Sequence, residues 1–280
     1  MNIKSILNEI DDELKGTFHT QETLEPKIWP FDKKLRPSIR KRLMEIAQDF
    51  YNSLETDAEL KDVTFTGSLA NYNWSKYSDV DLHLIVDYKD VNDDQDLVKD
   101  YFNAKKSIWN RNHDIFIDGY EVEVYVQDNN EPHTSSGVYS VMNDEWLVEP
   151  DRVEPTFDWS DITKKAEGLM DQIDRALMLY REKKYSDALQ YIDKLKEKIR
   201  KFRKAGLDRA GEFSSENIAF KVLRRNGYLE KLSNLKHMAY DLGSTFSKFN
   251  NNFDYDKFIK ACGVVELEQD LEIQILRAAQ

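Results

Sequence analysis

Residues 62–87 read DVTFTGSLANYNWSKYSDVDLHLIVD, and the reading of this stretch decides the fold class of the first half of the chain. Asp62 to Thr66 is a short β-rich run, and Gly67-Ser68 stops it. From Asp79 to Asp87, Val80, Leu82, Leu84 and Val86 alternate with Asp81, His83 and Ile85, the two-residue period of a strand with one buried face. Two strands flanking a turn-rich loop are therefore predicted. Asp79 and Asp81 are two apart, so they emerge on one face, and His83 continues the same step. Two carboxylates that close repel. A hard divalent cation such as Mg²⁺ or Mn²⁺, which prefers oxygen ligands, relieves that repulsion. Paired acids also occur at exposed strand ends, so the neighbouring residues carry the argument. Gly67 lets the backbone approach a ligand closely, and Ser68 at a helix start offers hydroxyl and amide donors to a phosphate. Ser75, Lys76 and Ser78 are further candidates for phosphate contact from the loop.

Working outward, Ile39, Leu43, Ile46, Ala47, Phe50 and Leu54 recur at three- and four-residue steps, which predicts an amphipathic helix from Leu35 to Glu55 with Pro37 in its first turn. Met1 to Leu14 reads as a short helix, and Glu25 to Asp32, with Pro26 and Pro30, as an extended connector. Downstream, a helix is predicted from about Asp94 to Asn110. Ile115 to Val126 comes next as two strand-like runs joined around Asp118-Gly119. In the second run Glu121 and Glu123 share one face, opposite Tyr120, Val122, Val124 and Val126. Acids on the inward face of a strand are costly unless they point into a site.

The order strand, loop, strand, helix, strand, strand fits an α+β domain with a mixed sheet, since the glycine-rich signatures of dinucleotide folds are absent. Residues 128–157, punctuated by Pro132, Pro150 and Pro155, read as a linker. After Trp159 helical periodicity takes over: residues 160–182 and 185–204 form a predicted hairpin around Lys183-Lys184. Further helices are predicted at 214–226, 228–248 and 254–275, with Gly206, Gly211, Gly227 and Gly263 as interruptions. Two domains are expected, residues 1–155 and an α-helical bundle at 156–280.

The formal charge of −12 hides a division. Between Arg181 and Lys236 stand 16 Lys and Arg against 8 Asp and Glu, whereas the rest of the chain is acidic. A basic stretch of this kind either draws in phosphate-bearing ligands or is a solvated helix face. Within it Lys221, Arg224 and Arg225 lie three or four apart on one helix face, where they are candidates to meet a triphosphate or an acceptor. The single cysteine, Cys262, excludes an internal disulfide and a cysteine-built zinc site, and five scattered His offer no metal cage. Any metal must be held by carboxylates. No apolar run is long enough to span a bilayer and the acidic N-terminus is unlike a signal peptide, so no membrane partner is expected and the chain reads as cytoplasmic.

Gly67-Ser68, the ten-residue loop, Ser78-Asp79-Val80-Asp81-Leu82 and an acid on a neighbouring strand resemble the nucleotidyltransferase superfamily named after DNA polymerase beta, over roughly residues 36–127. The resemblance implies a nucleotidyltransferase-type mixed sheet. It implies that Asp79, Asp81 and a third carboxylate hold two Mg²⁺ (or Mn²⁺) ions and that Gly67 and Ser68 bind the triphosphate of an NTP substrate. For the third acid, Glu123 followed by Val-Tyr-Val is similar to the apolar, acid, apolar, apolar pattern of archaeal-type CCA-adding enzymes and oligoadenylate synthases, and is preferred to Glu121. Family members mostly carry Asp there, so Glu123 is a departure. The resemblance further implies transfer of a nucleoside monophosphate to an acceptor hydroxyl with release of pyrophosphate; the acceptor is open among a nucleotide, an RNA end, a small molecule and a protein. The chain is also similar to nucleotidyltransferases carried by tailed phages, which would place it in a host cytoplasm. The alternative is a nucleotide-binding or partner-binding module without turnover.

Overall fold

The computed structural model describes residues 12–244 apart from 31, 32, 133 and 134. The helix expected at 254–275, Cys262, most of the helix expected at 1–14 and the end of that expected at 228–248 lie outside the described residues. The chain divides between Pro155 and Thr156 into a sheet-bearing unit, from Gly16 to Pro155, and a helical unit, with which Lys15 also groups.

Strands β1 (Leu60–Thr66) and β2 (Val80–Val86) pair antiparallel, with Thr66 opposite Asp81 and Thr64 opposite His83. Val80, Leu82, Leu84 and Val86 are all buried, which is why the alternation of this segment produces a strand of fixed face. The chain then crosses through helix α1 (Gln95–Asn112), whose N-cap Asp94 accepts the amide of Leu97. It returns through the hairpin β3 (Phe116–Ile117) and β4 (Tyr120–Asp128). Asp118 and Gly119 both have positive φ, 49° and 94°, as a tight two-residue hairpin turn demands. β4 lies parallel to β2, with Asp81 opposite Glu123 and His83 opposite Tyr125. This register sets two acidic faces side by side.

Residues 128–157 are not simply a linker, as their prolines suggest. They contain β5 (Val138–Ser140), which pairs with β1, and β6 (Glu145–Val148), which pairs with β5. The sheet therefore runs β3-β4-β2-β1-β5-β6. Strands of three and four residues are too short to show a period, and the apolar side chains in and just after β5 are recruited by a non-local neighbour: Val138, Tyr139 and Val141 are fully buried. Helix α2 (Pro37–Ser53), opened by Pro37, packs Ile39, Leu43, Ile46, Ala47 and Phe50 into the same core. Trp29 stands within 5.5 Å of the rings of Phe65, Tyr139 and Trp146, and its indole N–H donates to the carbonyl of Leu69 at 2.6 Å. The loop after Gly67-Ser68 is thereby pinned to the aromatic core.

The long helices of the helical unit, within the described residues, are α3 (Trp159–Arg181), α4 (Tyr185–Ala210), α5 (Ser215–Arg225) and α6 (Tyr228–Ser244). The turn between α3 and α4 passes through Lys183 at φ 58°. Ser214 caps α5, accepting the amide of Asn217 at 3.3 Å. Gly206 does not interrupt a helix. It lies inside α4 where a Cβ would stand 2.5 Å from the Cβ of Glu216 and 2.8 Å from Ser214 Oγ, so its lack of a side chain lets α5 approach α4.

Candidate active site

Asp79 precedes β2, Asp81 is its second residue, and Glu123 sits on β4 opposite Asp81. One carboxylate oxygen from each lies within 4.8 Å of the others, and all three side chains are partly exposed. Glu121, on the same β4 face but one step nearer the hairpin, is exposed and stands opposite Phe116 of β3. Partial desolvation, then the charges of Glu123, Asp114 and Asp79, hold its carboxyl above the usual range.

The donor set is made only of carboxylate oxygens, which suits a hard divalent ion and not a soft one. Oxygens on opposite sides of Mg²⁺, each about 2.0–2.1 Å from it, are about 4 Å apart, so a cluster spanning 4.8 Å closes on one ion by small side-chain rotations.

Gly67 is bound to this cluster by sterics. Its φ is 78°, and a Cβ there would lie 1.9 Å from Asp81 Oδ2. No other residue leaves room for that carboxylate beside the backbone. Ser68 begins a single 3₁₀ turn, Ser68–Ala70, and its hydroxyl is 2.7 Å from that of Ser78. Ser78 Oγ also accepts the amide of Ser75 at 3.0 Å, so both ends of the loop meet at this pair. Ser75 is buried, and its hydroxyl accepts the amide of Tyr77 at 3.2 Å. Lys76 is exposed, with its ammonium 5.3 Å from the ring centre of Tyr77.

His83 shares the acidic face, as its spacing predicts. Its Nδ1 is 2.9 Å from Gln127 Oε1, and its ring stacks on Tyr125 at 4.9 Å between centroids. Tyr125 donates its hydroxyl to Glu123 Oε2, and the ammonium of Lys106 on α1 lies 4.2 Å from the centre of its ring. Burial, then the charge of Asp81 and the bond to Glu123, push this phenol well above its ordinary range. Sequence reasoning named Glu123 but not Tyr125. The two-residue step from Glu123 placed it on the acidic face all along; what it touches there depends on side chains from β2 and α1.

Lys221 and Arg224 belong to α5 of the helical unit. Lys221 is half-buried. Its ammonium is pushed down to about 8, first by desolvation and then by Arg225, Arg224 and Arg203, against the opposing pull of Glu212.

No protein-family model matches the sequence, and no curated protein matches it. Among solved structures the chain is similar to a STING-associated CdnE c-di-GMP synthase from Capnocytophaga granulosa, at 13% identity over 87% of this chain and 99% of that one. The TM-score is 0.21, too low for a shared function to be read from the likeness.

Proposed function

We propose that the chain is a metal-dependent nucleotidyltransferase that moves a nucleoside monophosphate from an NTP to an acceptor hydroxyl and releases pyrophosphate. The observation that carries this reading is the convergence of Asp79, Asp81 and Glu123 within 4.8 Å, beside a glycine whose Cβ position is occupied by one of those carboxylates. Convergent acids next to a glycine that brings bare backbone to them form a pocket of negative charge suited to a cation.

In this reading Asp79, Asp81 and Glu123 hold Mg²⁺ or Mn²⁺. An ion bound there supplies Lewis acidity toward the triphosphate and the acceptor hydroxyl. The chain's own residues do the rest. Gly67 and Ser68 offer backbone N–H donors to the phosphates, while the Ser68 hydroxyl, donated to Ser78, keeps the two ends of the loop at one distance. The acceptor oxygen forms a bond to the α-phosphorus as the bond to the bridging oxygen breaks, and pyrophosphate leaves opposite to it. Asp81 and Glu123, paired across β2 and β4, are closest to the attacking oxygen, and Asp81 takes its proton. His83, on the same face, is placed to touch nucleotide or acceptor.

The test is pyrophosphate release from each of the four NTPs with Mg²⁺ or Mn²⁺, with and without RNA, for wild type and Asp79→Ala, followed by mass analysis of products. Turnover that Asp79→Ala abolishes supports the reading and identifies the acceptor. Tight NTP binding without product in every mixture replaces it with a nucleotide-binding module.

A further inference from the structure

Glu123 differs from its two partners in length. Asp79 and Asp81 reach the cluster on one-carbon arms from the start of β2, whereas Glu123 has an additional methylene and one more torsion, so its carboxylate can sweep over several positions. Something must choose among them. Tyr125, two residues on along β4 and on the same face, donates its hydroxyl to Glu123 Oε2. The Tyr125 ring is held in turn: it stacks on His83, its register partner on β2, and carries the Lys106 ammonium over its face.

Resting on the reading of the three carboxylates as metal ligands, we propose that Tyr125 is a positioning residue that fixes the Glu123 side chain so that its other oxygen is presented to the ion. A carboxylate has two oxygens and about four acceptor sites, so a phenol bonded to one oxygen leaves the second available. A phenol is protonated at neutral pH and donates here without adding charge to a cluster that already holds three negative groups. The contact therefore removes the freedom of the longer arm without competing for the cation, as outer partners of metal-ligating carboxylates do.

The experiment is a Mn²⁺ titration of the full chain, read by loss of the free-ion paramagnetic resonance signal, on wild type, Asp81→Asn, Tyr125→Phe, Glu123→Asp and the Tyr125→Phe/Glu123→Asp double variant. Circular dichroism checks that each is folded. Tyr125→Phe removes one oxygen and is expected to weaken Mn²⁺ binding about tenfold. Asp in place of Glu123 shortens the arm away from the hydroxyl, so adding Tyr125→Phe to Glu123→Asp is expected to change affinity less than about twofold, a non-additivity that a general loss of packing would not produce. Wild-type affinity in Tyr125→Phe, or an equal loss in both backgrounds, overturns the inference. Mn²⁺ binding that depends on Asp81 in a chain that never releases pyrophosphate would sink the transferase reading and leave the role of Tyr125 standing. Absence of any Asp81-dependent Mn²⁺ binding sinks both.

Discussion

The sheet unit and the helical unit each crowd charges of one sign, and they tolerate the crowding differently. In the first, Asp79, Asp81 and Glu123 meet at partly exposed positions at the start of β2 and along β4, fixed by strand register, with water or an ion free to approach them. In the second, Lys221 of α5 is half-buried among Arg203, Arg224 and Arg225, and it responds by surrendering affinity for its proton. Arg203 is half-buried too: its guanidinium lies 4.4 Å from the ring centre of Phe220 and its Nε donates to Asn217 Oδ1 at 3.1 Å. The acids are arranged around a point in space, and the cations are packed along helix faces by their hydrocarbon stems. Convergence marks a candidate site; crowding alone does not.

The contrast is broken most directly at Asp81. Asp81→Asn is expected to lower metal-dependent pyrophosphate release on the order of a thousandfold or more, because a group acting in a unit with others removes most of the catalysis when lost. Its thermal midpoint in chelator should hold or rise, since one of three repelling charges is gone. A lower midpoint would mean that the acids are structural.

Gly67→Ala comes next. Its Cβ would fall 1.9 Å from Asp81 Oδ2 at a φ of 78°, so the carboxylate must move away. Turnover is expected to fall about a hundredfold, with a stability loss of about 1–3 kcal/mol in urea unfolding. The matching change in the helical unit is Gly206→Ala, where the clash is with Glu216 Cβ at 2.5 Å. There a loss of about 1–3 kcal/mol is expected from overpacking, with Mn²⁺ affinity unchanged.

The smallest effect sharpens the other side. Lys221→Met removes a desolvated ammonium and should stabilise the chain by about 1–2 kcal/mol at pH 7. With the folded pKa at about 8 and the unfolded value at 10.5, the unfolded wild type binds more protons between those two pH values, so wild-type stability rises there. The advantage of the variant should shrink across that window and be constant below it. Should Lys221→Met also weaken NTP binding severalfold, the expectation that Lys221 and Arg224 meet phosphate gains support; unchanged binding makes the basic face a packing feature.

Much of the site was legible because it is local. The alternation from Val80 to Val86 set Asp81 and His83 on one face, and the Gly67-Ser68 stop preceded it by a loop of fixed length. Glu121 and Glu123 were equal on periodicity alone. The parallel register that puts Glu123 opposite Asp81 separates them in space, and that register forms between segments some forty residues apart. β5 and β6 escaped for a related reason: three or four residues have no readable period, and their strand character is conferred by pairing, of β5 with β1 and of β6 with β5. Gly206 read as a helix breaker because helix propensity is a local tendency, while its place in α4 is set by how closely α5 comes.

What the sequence by itself determined is which face each side chain takes on its own strand or helix, since side-chain direction is dictated by backbone period. What only the tertiary structure decided is which faces meet: Glu123 with Asp81, Tyr125 with Glu123, Trp29 with the loop at Leu69. Those pairings come from burying one common apolar core, a sum over the whole unit that no short window of residues contains.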